Sequence, residues 1–583
     1  MKDMCGIFAL LNNDNDFDET FVSAQFEKGK MRGPEYSELT KIMIKAEFGF
    51  HRLAINGLNP ESNQPIIMND IAVICNGEIY NYKDLYEMMD IEPTTDSDCE
   101  VIIHLYREYG IAQTLQMLDG VFAFILIDYR IHDENAKIYV ARDPFGVRPL
   151  YHLKSIRQPS FENKNIIGFA SELKVLNGFC QRLNTESENY TVEQFEPGTY
   201  SIYELPTTVS TSWRLHKENI RYHSTGFTSI INTENYNMRE ILENIQYYLT
   251  TAVYKRCSTT DRPIACLLSG GLDSSLITAL VVEYHKLHNL PVVETYSIGL
   301  EGSVDLEYAR TVANYLGTNH TEIVLEEEDF LNAIPEVIKS IESYDTTSVR
   351  ASIGNWLLGK YIAEHSDAKV IFNGDGSDEL TGGYLYMHKA PDMIEFDGEC
   401  RRLLKDIHAF DVLRSDKSIS SHGLEPRTPF LDRTWVQYYL SIPLQVRYHP
   451  NENNCEKYLL RLAFSKEYYE TFEGMELLPQ KVLWRKKEAF SDGVSKHSRS
   501  LYEIIQEYTE EKLKHEGYKN TLYRHMTKLK DHLLPQTSEQ IYYRSIFESE
   551  YSGLGKIVPY FWMPKYVEAK DASARTLKLY QEE

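Results

Sequence analysis

The run Ser269-Gly270-Gly271-Leu272-Asp273-Ser274-Ser275 constrains this 583-residue chain more than any other feature. A strand is expected before it, over Pro263 to Leu268, and a helix from Ser274 onward. Two adjacent glycines let the backbone bend sharply and approach a ligand closely. The amides freed by the bend, with the N-terminus of the helix, form a cradle for phosphate oxygens. The serine hydroxyls add donors, and Asp273 has the hard oxygen chemistry that holds Mg2+. The spacing matches neither G-x-x-x-x-G-K-[ST] nor G-x-G-x-x-G. The bland alternative is a plain strand-to-helix turn.

The surroundings favour the phosphate reading. A helix over Met238 to Tyr254 precedes the loop. A strand (Val292 to Ile298), a helix (Asp305 to Leu316) and a strand (Lys369 to Asn373) follow it. This alternation predicts an α/β unit with a parallel sheet covered by helices on both faces. Beyond Asp378 the chain reads as mostly helical. The first third has a different rhythm. Short β-prone runs at Cys5 to Leu11, Ile42 to Phe50, Ile71 to Cys75, Val121 to Asp128 and Lys137 to Ala141 are separated by turn residues. One helix is expected near Ser97 to Tyr109. That pattern predicts an α+β unit with antiparallel sheets. Between Glu204 and Asn237 apolar periodicity fades into Thr, Ser, Asn and His. The expected division is therefore residues 5–205, a linker over 206–237, and residues 238–583.

Composition narrows the partners. Hydrophobic residues are 42% and charged residues 25%, as in ordinary globular chains. The formal net charge of -25 repels phosphate backbones and anionic lipid, so neither nucleic acid nor a membrane is an expected partner. No uncharged apolar run approaches the ~20 residues of a membrane span. The eight cysteines are scattered, with no C-x-x-C pair and no zinc spacing. Reduced thiols and a start without signal-peptide character predict a cytoplasmic protein. A homodimer is compatible with these features.

A second chemical cluster lies at the N-terminus. Cys5 opens a strand, followed by Gly6-Ile7-Phe8. A thiol on the first residue of a mature chain can use its own α-amine as base, because that amine titrates near neutrality, at roughly 7.7–8. Arg52, in His51-Arg52-Leu53-Ala54-Ile55, carries forked donors suited to a carboxylate. In Asn76-Gly77-Glu78-Ile79-Tyr80-Asn81, an Asn amide and a Gly backbone N–H can form an oxyanion hole. Asp98, in Ser97-Asp98-Cys99-Glu100, can pair with an amine. Each has a duller reading alone: Asn-Gly is also a hairpin turn, and Asp98 also suits a helix N-terminus.

Taken in order, these four segments resemble the N-terminal-nucleophile glutamine amidotransferases over residues 5–205. The S-G-G-x-D-S loop resembles that of enzymes cleaving ATP to AMP and pyrophosphate. Further segments resemble glutamine-hydrolysing asparagine synthetases: Tyr296 to Leu300, Thr347 to Arg350, Asn373-Gly374-Asp375-Gly376-Ser377-Asp378-Glu379-Leu380, Glu425 to Asp432, Trp484 to Gly493, and the stretch from Tyr542 to Leu577. The likeness spans nearly the whole chain.

The resemblance implies a thioester on Cys5, an oxyanion held by Asn76 and Gly77, and glutamine gripped by Arg52, Leu53, Ala54, Ile55, Asn56, Glu78 and Asp98. It implies that Leu267, Leu268, Ser269, Gly270, Gly271, Asp273, Ser274, Ser275, Ile298, Asn373 and Gly374 bind ATP. Mg2+ would sit on Asp273 and Asp378. Arg350 and Asp375 would take aspartate or its adenylate, and Lys487 would stabilise departing pyrophosphate. Many family members carry Glu where Asp375 stands. A dry ammonia passage between the halves is expected, because free ammonia is protonated and lost in bulk water. Three alternatives stay open: an ammonia-only synthetase, a related synthetase for another acid, and a non-catalytic relative.

Four residues, Met1-Lys2-Asp3-Met4, precede Cys5, whereas the resemblance implies one removable Met. Left in place, they turn the needed amine into an amide, which is no base. Initiation at Met4 followed by its removal, or a proteolytic trim, would expose Cys5. Mass spectrometry of the native N-terminus is expected to find Cys5 first; retained Met1 would contradict this.

Overall fold

The structure is a computed structural model. It describes residues 5–130, 135–156, 165–185, 189–206, 212–226, 236–452, 455–488, 493–495, 499–514, 532–569 and 571–573. Ala489 to Asp492 and Ala574 to Leu577, parts of two segments singled out above, lie outside the described residues, as do Met1 to Met4.

Two six-stranded antiparallel sheets build the first part. One runs in the order Tyr190–Gln194, Tyr151–Ser155, Ile167–Ala170, Gly6–Leu11, Ala46–Arg52 and Tyr36–Met43. The other runs Arg214–Arg221, Thr199–Pro206, Asn135–Arg142, Gly120–Asp128, Ile71–Ile79 and Ile66–Met68. Central strands such as Gly6–Leu11 and Gly120–Asp128 are apolar nearly throughout because both of their faces are covered, whereas the outer strands Tyr36–Met43 and Arg214–Arg221 are mixed or polar. Ile7, Ala9 and Leu11 point between the sheets against Ile74, Ile125 and Val140. Phe8 and Leu10 point the other way, onto Phe26 and Phe179 of flanking helices. Val73 and Cys75 meet the helix Val101–Met117 from the second sheet's outer face. The result is a helix–sheet–sheet–helix stack, with the antiparallel sheets expected of the α+β unit.

Two expectations are corrected here. The single strand read over Ile42 to Phe50 is a hairpin. Its turn is closed by Lys45 in the left-handed region (φ 58°), and strands Tyr36–Met43 and Ala46–Arg52 pair across it. The stretch 206–237, read as a linker, contributes the strand Arg214–Arg221 to the second sheet. That strand lies at a sheet edge with most side chains exposed, so backbone pairing sets it and no apolar pattern announces it. Asn12 fixes the chain just before it. Its side chain donates to Asn165 O (2.8 Å) and Trp213 O (2.9 Å) and accepts from Trp213 N (2.7 Å).

The second part holds a five-stranded parallel sheet in the order Asn319–Leu325, Glu294–Leu300, Ile264–Leu267, Val370–Phe372, Glu425–Arg427. The chain moves outward in one direction from Ile264–Leu267 and in the other from Val370–Phe372. The strand order therefore reverses between these two neighbours, and in such sheets the crevice at the strands' C-terminal ends is where ligands bind. Both loops singled out from the sequence, 268–275 and 373–378, leave the sheet at this point.

Replacing Asn12 with Ala removes three hydrogen bonds, two of them buried, and is expected to cost roughly 2–4 kcal/mol. Denaturant unfolding that shows no loss of stability would contradict the proposed anchoring.

Candidate active sites

Cys5 sits at the open end of the strand Gly6–Leu11, and its thiol donates to Leu53 O at 3.3 Å. Burial pushes the thiol up to about 12, against the opposing pull of the Leu53 contact and the Arg52 charge. Such a thiol ionises only with a base in contact. Arg52 is buried, and its guanidinium donates to Asn59 O (2.8 Å), Asn63 Oδ1 (2.6 Å), Asn56 O (3.4 Å) and Gly57 O. Asn76 is fully buried in the strand Ile71–Ile79; its Nδ2 donates to Ser171 Oγ (3.2 Å), and its Oδ1 has no partner. Ser171 Oγ also accepts from Ile7 N (3.1 Å), so Asn76 and the cysteine strand are tied to one hydroxyl. A Cβ on Gly77 would lie 2.3 Å from Val121 O, which explains the glycine. Asp98 accepts from Ile79 N (2.7 Å), and burial raises its carboxyl to about 6. Glu78 accepts from Asn56 Nδ2 (2.5 Å) and faces Arg427 Nη2 at 3.5 Å.

The loop carrying Leu53, Ala54 and Ile55 is fastened to the second part. Ala54 O accepts from Arg262 Nε (2.7 Å), and Ile55 O accepts from Asp261 N (2.9 Å). One apolar cluster runs from Cys5, Leu53, Ile55 and Val147 to Val412, Phe430, Leu380 and Leu268.

At the far end of that cluster, the crevice at the sheet's reversal point holds a cavity of ≈ 210 Å³. Leu267, Leu268, Tyr296, Ile298 and Leu358 form an apolar wall. Ser269, Gly271, Asp273, Ser274, Asn373, Gly374, Asp375, Asp378 and Lys487 form the polar side. The two loops touch: a Cβ on Gly374 would lie 2.7 Å from Asp273 Cβ and 2.8 Å from Ser274 N. Gly270 has φ +73°, and a Cβ there would meet Ala309 N at 2.5 Å; it shapes the loop from behind the cavity. Ser275 is buried within the helix Leu272–Leu287 and is not part of the lining.

Lys457 carried no motif, and sequence reasoning missed it. Its ammonium lies 2.5 Å from Asp273 Oδ2 and 2.6 Å from Asp378 Oδ1. Lys487 lies 2.6 Å from Asp378 Oδ2 and 3.8 Å from Asp273 Oδ2. Burial alone would raise Asp378, but Lys457 and Lys487 outweigh it and hold the carboxyl well below the usual range. Burial likewise opposes the charge on Lys487, and Asp378 and Asp273 overcome it, so its ammonium stays protonated. Asp273 Oδ1 is buried without a hydrogen-bond partner. Two facing carboxylates, one with a spare oxygen, offer the hard oxygen donors that would suit Mg2+.

Asp375 accepts from Arg414 Nη2 (3.3 Å), its Oδ2 is buried without a partner, and Arg414 also holds Asp411 (2.8 Å). Arg414 lines the cavity and was also missed. Arg350 is the opposite case. Its guanidinium is buried and taken up by Glu539 (2.5 Å) and Asp571 (2.6 Å), and it is not among the lining residues. The expectation that Arg350 grips substrate is corrected: it ties the C-terminal stretch to the helix Thr346–His365, whose Thr347 lines the cavity.

The asparagine synthase family matches residues 244–398 and 393–555, and the glutamine amidotransferase domain family matches residues 4–223. Relatives named glutamine-hydrolysing asparagine synthetase share 40% identity (Gallus gallus), 40% (Cricetulus griseus) and 39% (Homo sapiens). Each match covers 99% of this chain and 99% of the relative. With both halves matched in order along one chain, this protein belongs to the family of glutamine-hydrolysing asparagine synthetases.

Proposed function

We propose that this chain converts L-aspartate, L-glutamine, ATP and water to L-asparagine, L-glutamate, AMP and pyrophosphate. The observation that carries this reading is the pairing of a base-dependent cysteine with a lysine-bridged carboxylate pair at the sheet's reversal point, joined by one apolar cluster. All eight cysteines are free, which supports a reducing cytoplasm. Among the described residues no helix is long and apolar enough to cross a membrane.

In the first half, the α-amine of an exposed Cys5 takes the thiol proton, and the sulfur attacks the glutamine amide carbon. Asn76 Nδ2 and the Gly77 N–H stabilise the oxyanion. Arg52 takes the substrate carboxylate and Asp98 its ammonium, while Glu78 braces Asn56 in the same loop. Ammonia leaves, and water hydrolyses the thioester to glutamate. The apolar cluster from Cys5 to Leu268 supports a dry route for the ammonia.

In the second half, adenine packs against Leu267, Leu268, Tyr296 and Ile298, and the 269–274 loop cradles the phosphates. Asp273 and Asp378 would hold Mg2+, which neutralises phosphate charge when bound. The β-carboxylate of aspartate attacks the α-phosphorus, and Lys457 and Lys487 offset the charge on departing pyrophosphate. Arg414 is placed to take the α-carboxylate of aspartate. Ammonia then attacks the acyl carbon, AMP leaves, and Asp375 Oδ2 accepts a proton.

Three outcomes are expected. Purified protein makes asparagine and AMP from aspartate and MgATP with either glutamine or ammonium, and Cys5→Ala removes only the glutamine-dependent route. Product from ammonium alone in the unaltered chain would contradict an exposed Cys5; no product from either would contradict the whole reading. Lys457→Met is expected to slow asparagine formation from both sources about 100-fold, the usual scale for losing one electrostatic donor, and to leave glutamine hydrolysis intact. Asp98, raised to about 6, is neutral below that pH and charged above it. KM for glutamine should therefore rise as pH falls through about 6; a flat KM from about pH 5 to 8 would remove Asp98 from the glutamine site.

A further inference from the structure

The helix Asp411–Ser420 is buried along almost its whole length and touches both sites. Its first turns serve the ATP cavity: Arg414 holds Asp375, and Ser415 Oγ accepts from Asn373 Nδ2 at 2.8 Å. Its later turns serve the cysteine. Asp416 and Ser420, four residues apart and so on one face, both bind the same guanidinium. Arg32 Nη1 donates to Asp416 Oδ2 (2.7 Å) and Ser420 Oγ (2.9 Å), and Arg32 Nη2 donates to Asp416 Oδ1 (3.3 Å). Arg32 Nε then donates to the carbonyl of Cys5 at 3.0 Å. Arg32 Nη1 also reaches Glu172 Oε1 (2.8 Å), and Arg148 Nη1 donates to Asp416 Oδ1 (3.2 Å).

The backbone of the nucleophile is thus held by an arginine, and the arginine is aimed by a carboxylate from the other half of the chain. A bidentate carboxylate fixes a guanidinium plane, whereas a single acceptor leaves it free to swing. Arg32, Asp416 and Ser420 are each about 1% exposed, so water does not replace a lost partner. Neither Arg32 nor Asp416 belongs to any of the sequence segments that suggested the two sites.

We propose that Asp416 is a positioning residue for the cysteine site: through Arg32 it sets where the Cys5 carbonyl, and with it the thiol and amine, stand relative to bound glutamine. This rests on the reading of Cys5 as the glutaminase nucleophile. Asp416 touches neither glutamine nor the reacting atoms, so its loss should lower the turnover of glutamine and spare its binding. Because the same helix presents Arg414 to the ATP cavity and holds the cavity-lining Asn373 through Ser415, the two sites also share one rigid mount.

The test is glutamate release from glutamine by the full-length chain without aspartate or ATP, compared with asparagine formation from ammonium. Asp416→Asn is expected to lower the glutaminase kcat at least 10-fold, hold KM for glutamine within about 2-fold, and hold ammonium-dependent synthesis within about 2-fold. Asp416→Glu, which keeps the charge, should recover most of the kcat. A raised KM with kcat unchanged, unaltered glutaminase kinetics, or no recovery with Glu would overturn the proposal. Should Asp416→Asn also lose ammonium-dependent synthesis, Ser420→Ala, which removes one hydrogen bond to Arg32, replaces it; it must lower kcat and spare KM, or the proposal fails. An unaltered chain that releases no glutamate would instead sink the nucleophile assignment itself.

Discussion

A buried ionic seam between the two halves is the interaction on which the rest of this structure depends. Arg32 and Arg148 of the first half meet Asp416 and Glu425 of the second. Lys417 of the second half reaches back to Glu172 at 3.2 Å and also holds Glu342. Burying charges costs several kcal/mol per ion before pairing offsets it, so such a seam adds little net stability. It does add geometry. An unmatched charge left dry is penalised heavily, so only one docking of the halves satisfies all of these groups together. That docking brings Cys5 and the cavity-lining Leu268 into one apolar cluster.

The chemistry at the two ends follows from opposite electrostatics. Around Cys5, burial suppresses ionisation of the thiol. In the cavity at the sheet's reversal point, two lysines sit over two aspartates, and opposite charges lie within salt-bridge reach. The chain as a whole carries a formal net charge of -25, and the cavity nonetheless concentrates Lys457, Lys487 and Arg414 beside its carboxylates.

The parts that could be read from the sequence were those with a local physical cause. The parallel sheet followed from strand and helix alternation, and the 269–275 and 373–378 loops from glycines that the structure shows to be sterically required at 270 and 374. What escaped notice was set by tertiary contact. Lys457 is brought to Asp273 by the fold across 184 positions, with only its left-handed backbone (φ 58°) to mark it locally. The strand Arg214–Arg221 is polar because it lies at an edge, and the Ile44-Lys45 turn is apolar enough to pass for strand. Arg350 was misplaced because an arginine in a matching segment says nothing of its partners, and here Glu539 and Asp571 claim it.

The most direct test of the central claim, that one chain activates a carboxylate by adenylation and then passes it to ammonia, is to follow oxygen. Aspartate labelled with 18O in its β-carboxylate is supplied with MgATP and glutamine, and the AMP and pyrophosphate are weighed by mass spectrometry. Attack of that carboxylate on the α-phosphorus leaves one labelled oxygen in AMP and none in pyrophosphate. Unlabelled AMP formed alongside asparagine, or label in pyrophosphate, would contradict the account.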